Sequence, residues 1–252
     1  MQVNEIMCKS ALVLTGLPGG KYALNPYRGC SHGCLYCYAP SVLRENRPWG
    51  GFVDVKINIA DVLDAEVVKL QKGNVLIGTV TDAYQPIDAK YKITRRCLEV
   101  LAAHDWPATI QTKSALVTRD IDLILQLSKK DVGFTITTLN ETVQKKFEPG
   151  SSSPAARLAA LKELSDAGIQ TWIFIGPVLP GITENEIENI VQAAAMAGAR
   201  SVIWDKLRPR PGCELKAEYV VDIAERIRKA CNATGLSCTS AFPKNLNNSS
   251  ND

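Results

Sequence analysis

The sequence predicts an α/β protein in which six short strands alternate with amphipathic helices. Each predicted strand is a short apolar run, and the segments between them repeat apolar residues with helical spacing, as at Ile187, Ile190 and Val191. The six runs are Tyr22–Tyr27, Val75–Thr81, Ala108–Thr112, Val132–Thr138, Gln170–Ile175 and Ser201–Trp204. This alternation is typical of parallel strands joined by crossover helices, and six units are too few for a full eight-stranded barrel.

Length and composition fit one enzyme-sized domain. The 252 residues are 46% hydrophobic, enough for a sizeable core, and the net charge of +3 gives only weak support for a nucleic-acid partner. No apolar stretch approaches the roughly 20 residues that a membrane span needs, and residues 1–20 lack a secretory pattern. We therefore expect a cytoplasmic protein whose eight cysteines are thiols or metal ligands.

The strand and helix patterns divide the chain into four parts. Residues 1–21 form an N-terminal extension, residues 22–205 the α/β core, and residues 206–242 a C-terminal loop and helix packed on that core. The polar residues 243–252 predict a disordered tail.

Three cysteines lie close together after the first predicted strand, in the run NPYRGCSHGCLYCYA at residues 25–39. Cys30, Cys34 and Cys37 have the spacing x3 then x2, which suits ligation of one iron–sulfur cluster. A cubane cluster has four irons, so three local thiolates leave one iron open to another ligand. An open iron indicates a catalytic cluster rather than one that only transfers electrons.

Other interpretations of the three cysteines remain. A zinc site with His32 as fourth ligand is disfavoured because zinc modules usually draw their ligands as two separated pairs. A disulfide framework is disfavoured because a chain of this length buries its own core. An electron-transfer protein would need a fourth, distant cysteine ligand, and the sequence leaves that alternative open.

Polar residues follow the second, third and fourth predicted strands. In barrels of parallel strands the chemistry lies at the carboxyl ends, so residues 79–82, 111–114 and 135–140 are candidates. Asn140 and Thr138 are predicted to cap the next helix. Lys113 would face the open end of the barrel, where its ammonium suits an anionic ligand.

The chain resembles the radical S-adenosylmethionine (SAM) superfamily, whose hallmark is Cys-x3-Cys-x2-Cys with an aromatic residue, here Tyr36, before the last cysteine. The resemblance implies a partial (β/α)6 TIM-like barrel and a 4Fe–4S cluster whose open iron binds SAM. It implies reductive cleavage of SAM to a 5'-deoxyadenosyl radical that abstracts hydrogen from a substrate, here unidentified. It also implies an electron donor such as a ferredoxin or flavodoxin.

Within that superfamily the chain resembles the spore photoproduct lyase-like branch, through residues 27–39, 111–114, 134–137 and 147–151. This resemblance implies catalysis at Cys30, Cys34 and Cys37. The implied cofactor-binding set is Tyr36, Asp82, Lys113, Ser114, Thr135, Thr137, Arg157 and Pro177. Tyr36 and Pro177 would lie beside the adenine, whereas Asp82 also suits a turn. Arg157 would either pair with Glu148 or reach the SAM carboxylate.

One departure from the branch concerns the substrate. Spore photoproduct lyases carry a cysteine hydrogen donor near the end of the second strand, whereas residues 78–82 here are GTVTD. Repair or modification of a nucleic-acid base remains an alternative, with Arg208 and Arg210 as candidate phosphate contacts. Lacking an interleaved aromatic platform, residues 206–210 are slightly better explained as a solvated loop.

The remaining cysteines are interpreted either as core residues or as possible ligands of an auxiliary iron–sulfur cluster. Cys97 and Cys231 repeat with apolar residues on helical faces and look like small core residues. Cys213 and Cys238 lie in turn-like settings, and with Cys231 or Cys8 they would suit an auxiliary iron–sulfur cluster. Neighbouring thiols without metal are the favoured alternative, because the spacings match no compact motif.

Overall fold

The computed structural model describes residues 1–209 and 216–242, so the predicted tail, Arg210 and Cys213 lie outside the described residues. The strands of the described residues are β1 (Gln2–Ile6), β2 (Leu12–Leu14), β3 (Tyr22–Leu24), β4 (Tyr27–Arg28), β5 (Phe52–Lys56), β6 (Val75–Ile77), β7 (Ala108–Thr112), β8 (Lys130–Thr135), β9 (Gln170–Val178), β10 (Ser201–Lys206) and β11 (Ser237–Ser240).

The helices surround a curved parallel sheet. They are α1 (Ala39–Leu43), α2 (Ile59–Val67), α3 (Asp88–Tyr91), α4 (Ile93–Ala103), α5 (Ile121–Ile124), α6 (Glu141–Phe147), α7 (Pro154–Asp166), α8 (Thr183–Met196) and α9 (Ile223–Thr234), with a 3₁₀ helix at Ala115–Asp120. No helix of the described residues is long and apolar enough to cross a bilayer.

The main sheet has the strand order β11-β10-β9-β8-β7-β6-β3-β2. All neighbouring pairs from β3 to β11 are parallel, and only β2 runs antiparallel to β3. The six predicted strands correspond to β3 and β6–β10, which confirms the α/β class. The sequence missed β11, since its four residues, SCTS, form no apolar run.

A second, small sheet has the order β1-β5-β4 and uses part of the N-terminal extension. The first predicted strand, Tyr22–Tyr27, divides into β3 and β4 at Asn25 and Pro26. The Asn25 side chain donates to Thr79 Oγ1 (2.9 Å) and accepts from the Val80 N–H group (3.0 Å). β4 is thereby directed away from the main sheet and pairs with β5.

Helix packing follows the apolar faces seen in the sequence. Ile187, Ile190 and Val191 of α8 are buried in the main core, as are Cys97 of α4 and Cys231 of α9. The two cysteines are therefore core residues, as predicted. With the helices packed on the sheet, the carboxyl ends of its strands are left to carry the site.

Candidate active site

The three motif cysteines lie in the loop between β4 and α1, here called the cysteine loop (residues 29–38). Two backbone hydrogen bonds fold it tightly, from Gly33 N–H to the Cys30 carbonyl (3.3 Å) and from Cys37 N–H to the Cys34 carbonyl (3.1 Å). Cys30 and Cys34 are buried, Cys37 is half-buried, and all three are free thiols. Local turns therefore gather the predicted ligands into one loop.

The segment after β6 holds the first half of the cysteine loop. The Thr81 hydroxyl donates to the Gly29 carbonyl (2.6 Å), and Gln85 Oε1 accepts from the Ser31 N–H group (2.8 Å). Gln85 is fully buried and also donates to Thr81 Oγ1 (3.1 Å). The sequence did not single out Gln85, because a lone glutamine in a polar run carries no distinguishing signal.

The segment after α6 holds the second half of the cysteine loop. Leu35 N–H donates to the Phe147 carbonyl (3.0 Å), and Gly150 N–H donates to the His32 carbonyl (3.0 Å). A Cβ atom at Gly150 would lie 2.0 Å from the Ser31 carbonyl oxygen. Only glycine allows this close backbone approach.

Asp82 is a buried connection between three elements. Its carboxylate accepts from Thr112 Oγ1 (2.7 Å), Lys113 N–H (2.7 Å) and Tyr84 N–H (2.9 Å), and it lies 3.4 Å from His32 Nδ1. We call these five residues the Asp82 node. The node joins the end of β7 to the cysteine loop.

Glu148 and Arg157 form a second buried connection. The Glu148 carboxylate accepts from the Arg157 guanidinium, from the Tyr36 hydroxyl and from Thr137 Oγ1 (2.9 Å). Arg157 also donates to the carbonyls of Thr135 (2.8 Å) and Ser152 (2.9 Å). Burial alone would raise the pKa of Glu148, but Arg157, Lys113 and the Tyr36 hydrogen bond lower it below its usual value.

This Glu148 node, which comprises Glu148, Arg157, Tyr36 and Thr137, bears on the two roles considered for Arg157. All three guanidinium nitrogens donate to the protein, and the side chain is 1% exposed. Contact with the SAM carboxylate stays a prediction, whereas the ion pair with Glu148 is confirmed for Arg157. Its charge stabilises the carboxylate that anchors Tyr36 of the cysteine loop.

The other predicted polar residues near the cysteine loop form hydrogen bonds with neighbouring protein groups. Thr135 and Thr137 are both buried, and Thr135 Oγ1 accepts from Gln111 Nε2 (3.2 Å). Ser114 Oγ accepts from the Leu116 N–H group (3.2 Å) and caps the 3₁₀ helix. Asn140 caps α6 as predicted, by accepting from Thr142 N–H (2.9 Å).

Lys113 is a half-buried cation beside the thiols. Its ammonium lies 5.7 Å from the centre of the Tyr36 ring. Burial opposes its charge, but the nearby Cys34, Glu148 and Asp82 raise the pKa of Lys113 above its usual value. Among the described residues no carboxylate lies within ion-pair distance of this ammonium, so an anionic ligand would complete its surroundings.

The thiols themselves suit a metal cluster. Burial and the nearby Asp82 carboxylate raise the pKa of Cys30 to about 12, and burial also raises the pKa of Cys34 and of Cys37, with Lys113 partly offsetting both. Ligation replaces the thiol protons with metal, and soft thiolates select iron–sulfur clusters. Among the described residues no three His, Cys, Asp or Glu side chains converge on a position for a single ion.

Two buried polar atoms of the loop fit a bound group as well. Ser31 Oγ and His32 Nε2 are buried without a hydrogen-bond partner among the described residues. Burial lowers the pKa of His32, while Asp82 acts against that shift. From the sequence alone, His32 suggests only a possible zinc ligand. Its contact with Asp82 is not visible there, because the two residues are 50 positions apart in the chain.

The family model of the radical SAM superfamily matches residues 24–194, which include the cysteine loop and the strand ends described above. The chain belongs to the radical SAM superfamily. It is therefore a radical SAM enzyme, and membership brings SAM and a 4Fe–4S cluster as cofactors. The predicted superfamily is confirmed, and Cys30, Cys34 and Cys37 lie within the matched region.

Relatives of this radical SAM enzyme occur in several organisms. An uncharacterized protein of Methanocaldococcus jannaschii is 36% identical over 188 residues, 74% of this chain and 71% of that protein. An uncharacterized protein of Mycobacterium tuberculosis is 33% identical over 215 residues, 79% of this chain but only 63% of that relative. The radical SAM Nalpha-GlyT isomerase of Pseudomonas phage M6 is 27% identical over 71% of this chain and 38% of its own.

Solved structures agree with the predicted partial barrel. A spore photoproduct lyase variant with bound AdoMet and dinucleoside spore photoproduct has a TM-score of 0.74 at 18% identity, and the match covers 96% of this chain and 82% of that one. SuiB from Streptococcus suis, bound to S-adenosylmethionine, has a TM-score of 0.56 at 14% identity, over 86% of this chain and 49% of that one. The predicted likeness to spore photoproduct lyase is confirmed at the level of the fold.

In this radical SAM enzyme an apolar cluster borders the thiols. Cys34 and Tyr36 pack with Phe147, Leu179 and Leu207, which brings the ends of β9 and β10 to the cysteine loop. Pro177, the predicted adenine contact, is half-buried near the end of β9. An apolar wall of this kind suits the flat face of a base.

The other cysteines lie elsewhere. Cys231 and Cys238 are hydrogen-bonded neighbours, and burial together with Cys238 raises the pKa of Cys231 to about 12. Cys8 lies against Asn58, whose Oδ1 accepts from the Cys8 N–H group (2.8 Å). Cys213 lies outside the described residues, so the auxiliary cluster stays a prediction.

Proposed function

We propose that Cys30, Cys34 and Cys37 hold a 4Fe–4S cluster whose fourth iron binds SAM, and that this chain cleaves SAM reductively. When bound, the cluster supplies the electron that splits SAM into methionine and a 5'-deoxyadenosyl radical, which takes hydrogen from the substrate. The observation that carries this proposal is the set of buried thiols beside the half-buried Lys113, a cation without a carboxylate at ion-pair distance in the described residues.

The chain's own residues have separable roles in this proposal. Lys113 pairs with the SAM carboxylate, and Tyr36 and Pro177 contact the adenine. Thr135 and Thr137 line the same end of the barrel. Asp82, Ser114 and Arg157 act as positioning residues, since their polar atoms are already engaged by protein groups.

The test is anaerobic reconstitution with iron and sulfide, followed by dithionite and SAM, with chromatography for 5'-deoxyadenosine. We expect product from the native chain and none from Cys34→Ala. Lys113→Met is expected to raise the KM for SAM about tenfold, the loss of one charge-assisted hydrogen bond. The exposed Lys162→Met is the matched control. If the cluster is intact but its electron paramagnetic resonance spectrum does not change when SAM is added, the result would support the electron-transfer alternative.

Two further assignments belong to this proposal. The reductant is a one-electron carrier such as a ferredoxin or flavodoxin, since the cluster accepts electrons singly. The protein acts in the cytoplasm, in keeping with the seven free thiols among the described residues. A fractionation experiment that found the chain outside the cytoplasm would contradict the second assignment.

A second candidate concerns the substrate class, and we infer that it is a nucleic-acid base. Two cations rest on aromatic rings at the end of β10: Lys206 Nζ lies 5.1 Å from the Tyr219 ring, and Arg208 Cζ lies 4.5 Å from the Phe242 ring. Leu207, between the two cations, packs with Cys34. The aromatic platform absent from the local sequence is therefore supplied by residues distant in the chain.

Cations combined with aromatic faces bind single strands through phosphate contacts and base stacking. Both Arg208 and Phe242 are exposed. A dinucleoside photoproduct is bound by the similarly folded lyase variant, which supports the same class here. Repair of the spore photoproduct type is not part of the proposal, because residues 78–82, GTVTD, contain no cysteine near the strand end where that branch carries its hydrogen donor.

The test is fluorescence anisotropy of a labelled single-stranded oligonucleotide with the reconstituted enzyme. Phe242→Ala is expected to weaken binding about tenfold, the loss of one stacked base. Arg208→Ala is expected to lower the salt dependence of log K by about one unit. Arg228→Ala, which removes an exposed cation paired with Glu225 on α9, is the control. Equal binding by all three variants would reject this candidate.

A further inference from the structure

One side chain of the cysteine loop reaches solvent. Leu35 is 54% exposed, whereas its neighbours Cys34 and Tyr36 are each 8% exposed. Leu35 is absent from the apolar cluster in which those neighbours pack, so its side chain points away from that cluster. A solvent-exposed leucine thus lies one residue from one proposed cluster ligand and two from another.

A second apolar side chain and two cations follow this exposed leucine. Val42, on α1 directly after the loop, is also 54% exposed, and Arg44 is exposed at the end of the same helix. Lys146 precedes Phe147, whose carbonyl accepts from Leu35 N–H, so its backbone lies beside the leucine. Neither Arg44 nor Lys146 has an ion-pair partner in the described part of the chain.

The ion pairs around this face contribute no net charge, so its positive charge comes from Arg44 and Lys146. Arg28 and Arg47 both contact Glu45, at 2.9 Å each, so two cations share that carboxylate. Arg47 also contacts Asp54 (2.7 Å). Arg44, outside these pairs, adds an uncompensated positive charge near the loop. Exposed apolar side chains with such a charged rim are typical of transient interaction sites.

We propose that Leu35, Val42, Arg44 and Lys146, here called the Leu35 face, dock an acidic protein that carries one electron to the cluster. The proposal rests on the proposed function, since it requires a cluster at Cys34 and Cys37. The reduced carrier loses one electron and the oxidised cluster gains it, with no bond or proton exchanged. Electron transfer falls steeply with distance, so the carrier must approach the exposed residue that lies between two ligands.

The chemistry of this face suits a weak, fast encounter. Redox partners bury little surface and are steered by complementary charge, so positive residues around a small apolar centre favour an acidic carrier. Salt screens such steering over about 10 Å at 0.1 M ionic strength. The Leu35 face therefore predicts that the reduction rate depends on salt more steeply with an acidic protein reductant than with a small one.

The experiment uses the reconstituted holoenzyme in anaerobic stopped flow, with cluster bleaching followed by absorbance. The reductants are an acidic flavodoxin, reduced beforehand, and dithionite. Lys146→Glu and Arg44→Glu are expected to slow reduction by flavodoxin about tenfold at low salt, with convergence at high salt. Reduction by dithionite, and the 5'-deoxyadenosine it supports, should stay within about twofold of the native values.

The matched control is Lys229→Glu, which changes the net charge equally at an exposed position on α9. Equal flavodoxin rates in the two variants and this control would overturn the docking surface. Leu35→Asp adds a test at the apolar centre, with iron content measured to show that the cluster remains. Failure of dithionite itself to support SAM cleavage would instead count against the proposed function.

Discussion

The rim of the barrel between β6 and β8 differs from the rim between β9 and β11 in how its charged groups are satisfied. On the first side, Asp82, Glu148 and Arg157 are buried, and their charges are engaged by named protein donors and acceptors. On the second side Glu184 is also buried and engaged, but Lys206 and Arg208 are exposed and rest on aromatic rings, and Arg208 pairs with Asp205 (3.2 Å).

This difference separates support of the cofactor from capture of a substrate. Buried polar groups that are fully hydrogen-bonded hold a unique arrangement, which the cysteine loop requires. Exposed cations on aromatic faces remain available to phosphates and bases. Substitutions on the first side should therefore change stability and cofactor retention. Those of the exposed cations and rings on the second side should change binding, and the buried Glu184 should affect both.

The largest effect is expected from Arg157→Leu. It would leave the Glu148 carboxylate buried without its cation, which typically costs about 3–5 kcal/mol of unfolding free energy. Chemical denaturation measures this loss. Lys162→Ala is the control on the same helix, since its exposed pair with Asp166 (2.9 Å) contributes only about 0.3–0.5 kcal/mol. Equal losses in the two variants would contradict the role given to the buried Glu148–Arg157 pair.

A smaller effect is expected from Asp82→Asn. The amide keeps one acceptor oxygen, so either Lys113 N–H or Tyr84 N–H loses its acceptor, at about 1–3 kcal/mol. Because the node also contacts His32, iron bound after reconstitution should fall as well. Asp61→Asn, at an exposed carboxylate 3.4 Å from Arg96, is the control. If Asp82→Asn keeps the full iron content and the native stability, Asp82 does not position the cysteine loop.

On the second side, Glu184→Gln should weaken the anchor of the aromatic platform. The Glu184 carboxylate accepts from Gly181 N–H (3.0 Å) and Val220 N–H (2.7 Å), next to Tyr219. Burial would raise the pKa of Glu184, but these backbone hydrogen bonds lower it. A carboxyl with a lowered folded pKa contributes its stability above the unfolded value of about 4.3 and loses it as pH falls.

We therefore expect Glu184→Gln to cost about 1–2 kcal/mol at neutral pH, with the difference from the native chain shrinking towards about pH 3. Calorimetric Tm values across this range measure it, and oligonucleotide affinity should fall in parallel at neutral pH. Glu163→Gln, on the exposed face of α7, is the control. A difference that stays constant with pH would show that the charge of Glu184 does not matter.

The smallest effect is expected from Ser114→Ala, which removes the cap of the 3₁₀ helix and costs about 0.5–1 kcal/mol. Asp222→Ala removes a comparable cap from α9, where Asp222 accepts from Ala224 N–H (3.0 Å), and serves as the reference. The KM for SAM should not change in either variant. A large rise in KM for Ser114→Ala alone would restore the predicted SAM contact.

Patterns within short stretches predicted the fold well, and they gathered the three predicted cysteine ligands into one loop. The apolar period placed six strands, because each lies in the core and alternates with helices in order along the chain. β11 was not predicted, because it is a strand through its pairing with β10 and not through its own composition. The end of β8 was also predicted late, at Thr138 instead of Thr135, because residues 136–138 continue the apolar alternation, and Ile136 N–H still donates to the Phe174 carbonyl (3.0 Å).

The candidate site divides in the same way. By itself the sequence determined the cysteine loop, the superfamily and the polar strand ends, because spacing within a few residues governs which thiolates reach one cluster. Only the tertiary structure decided that Arg157 serves Glu148, that Gln85 supports the loop, and that Arg208 meets Phe242. Those contacts join residues far apart in the chain, and a buried charge takes the partner that packing brings within hydrogen-bond distance.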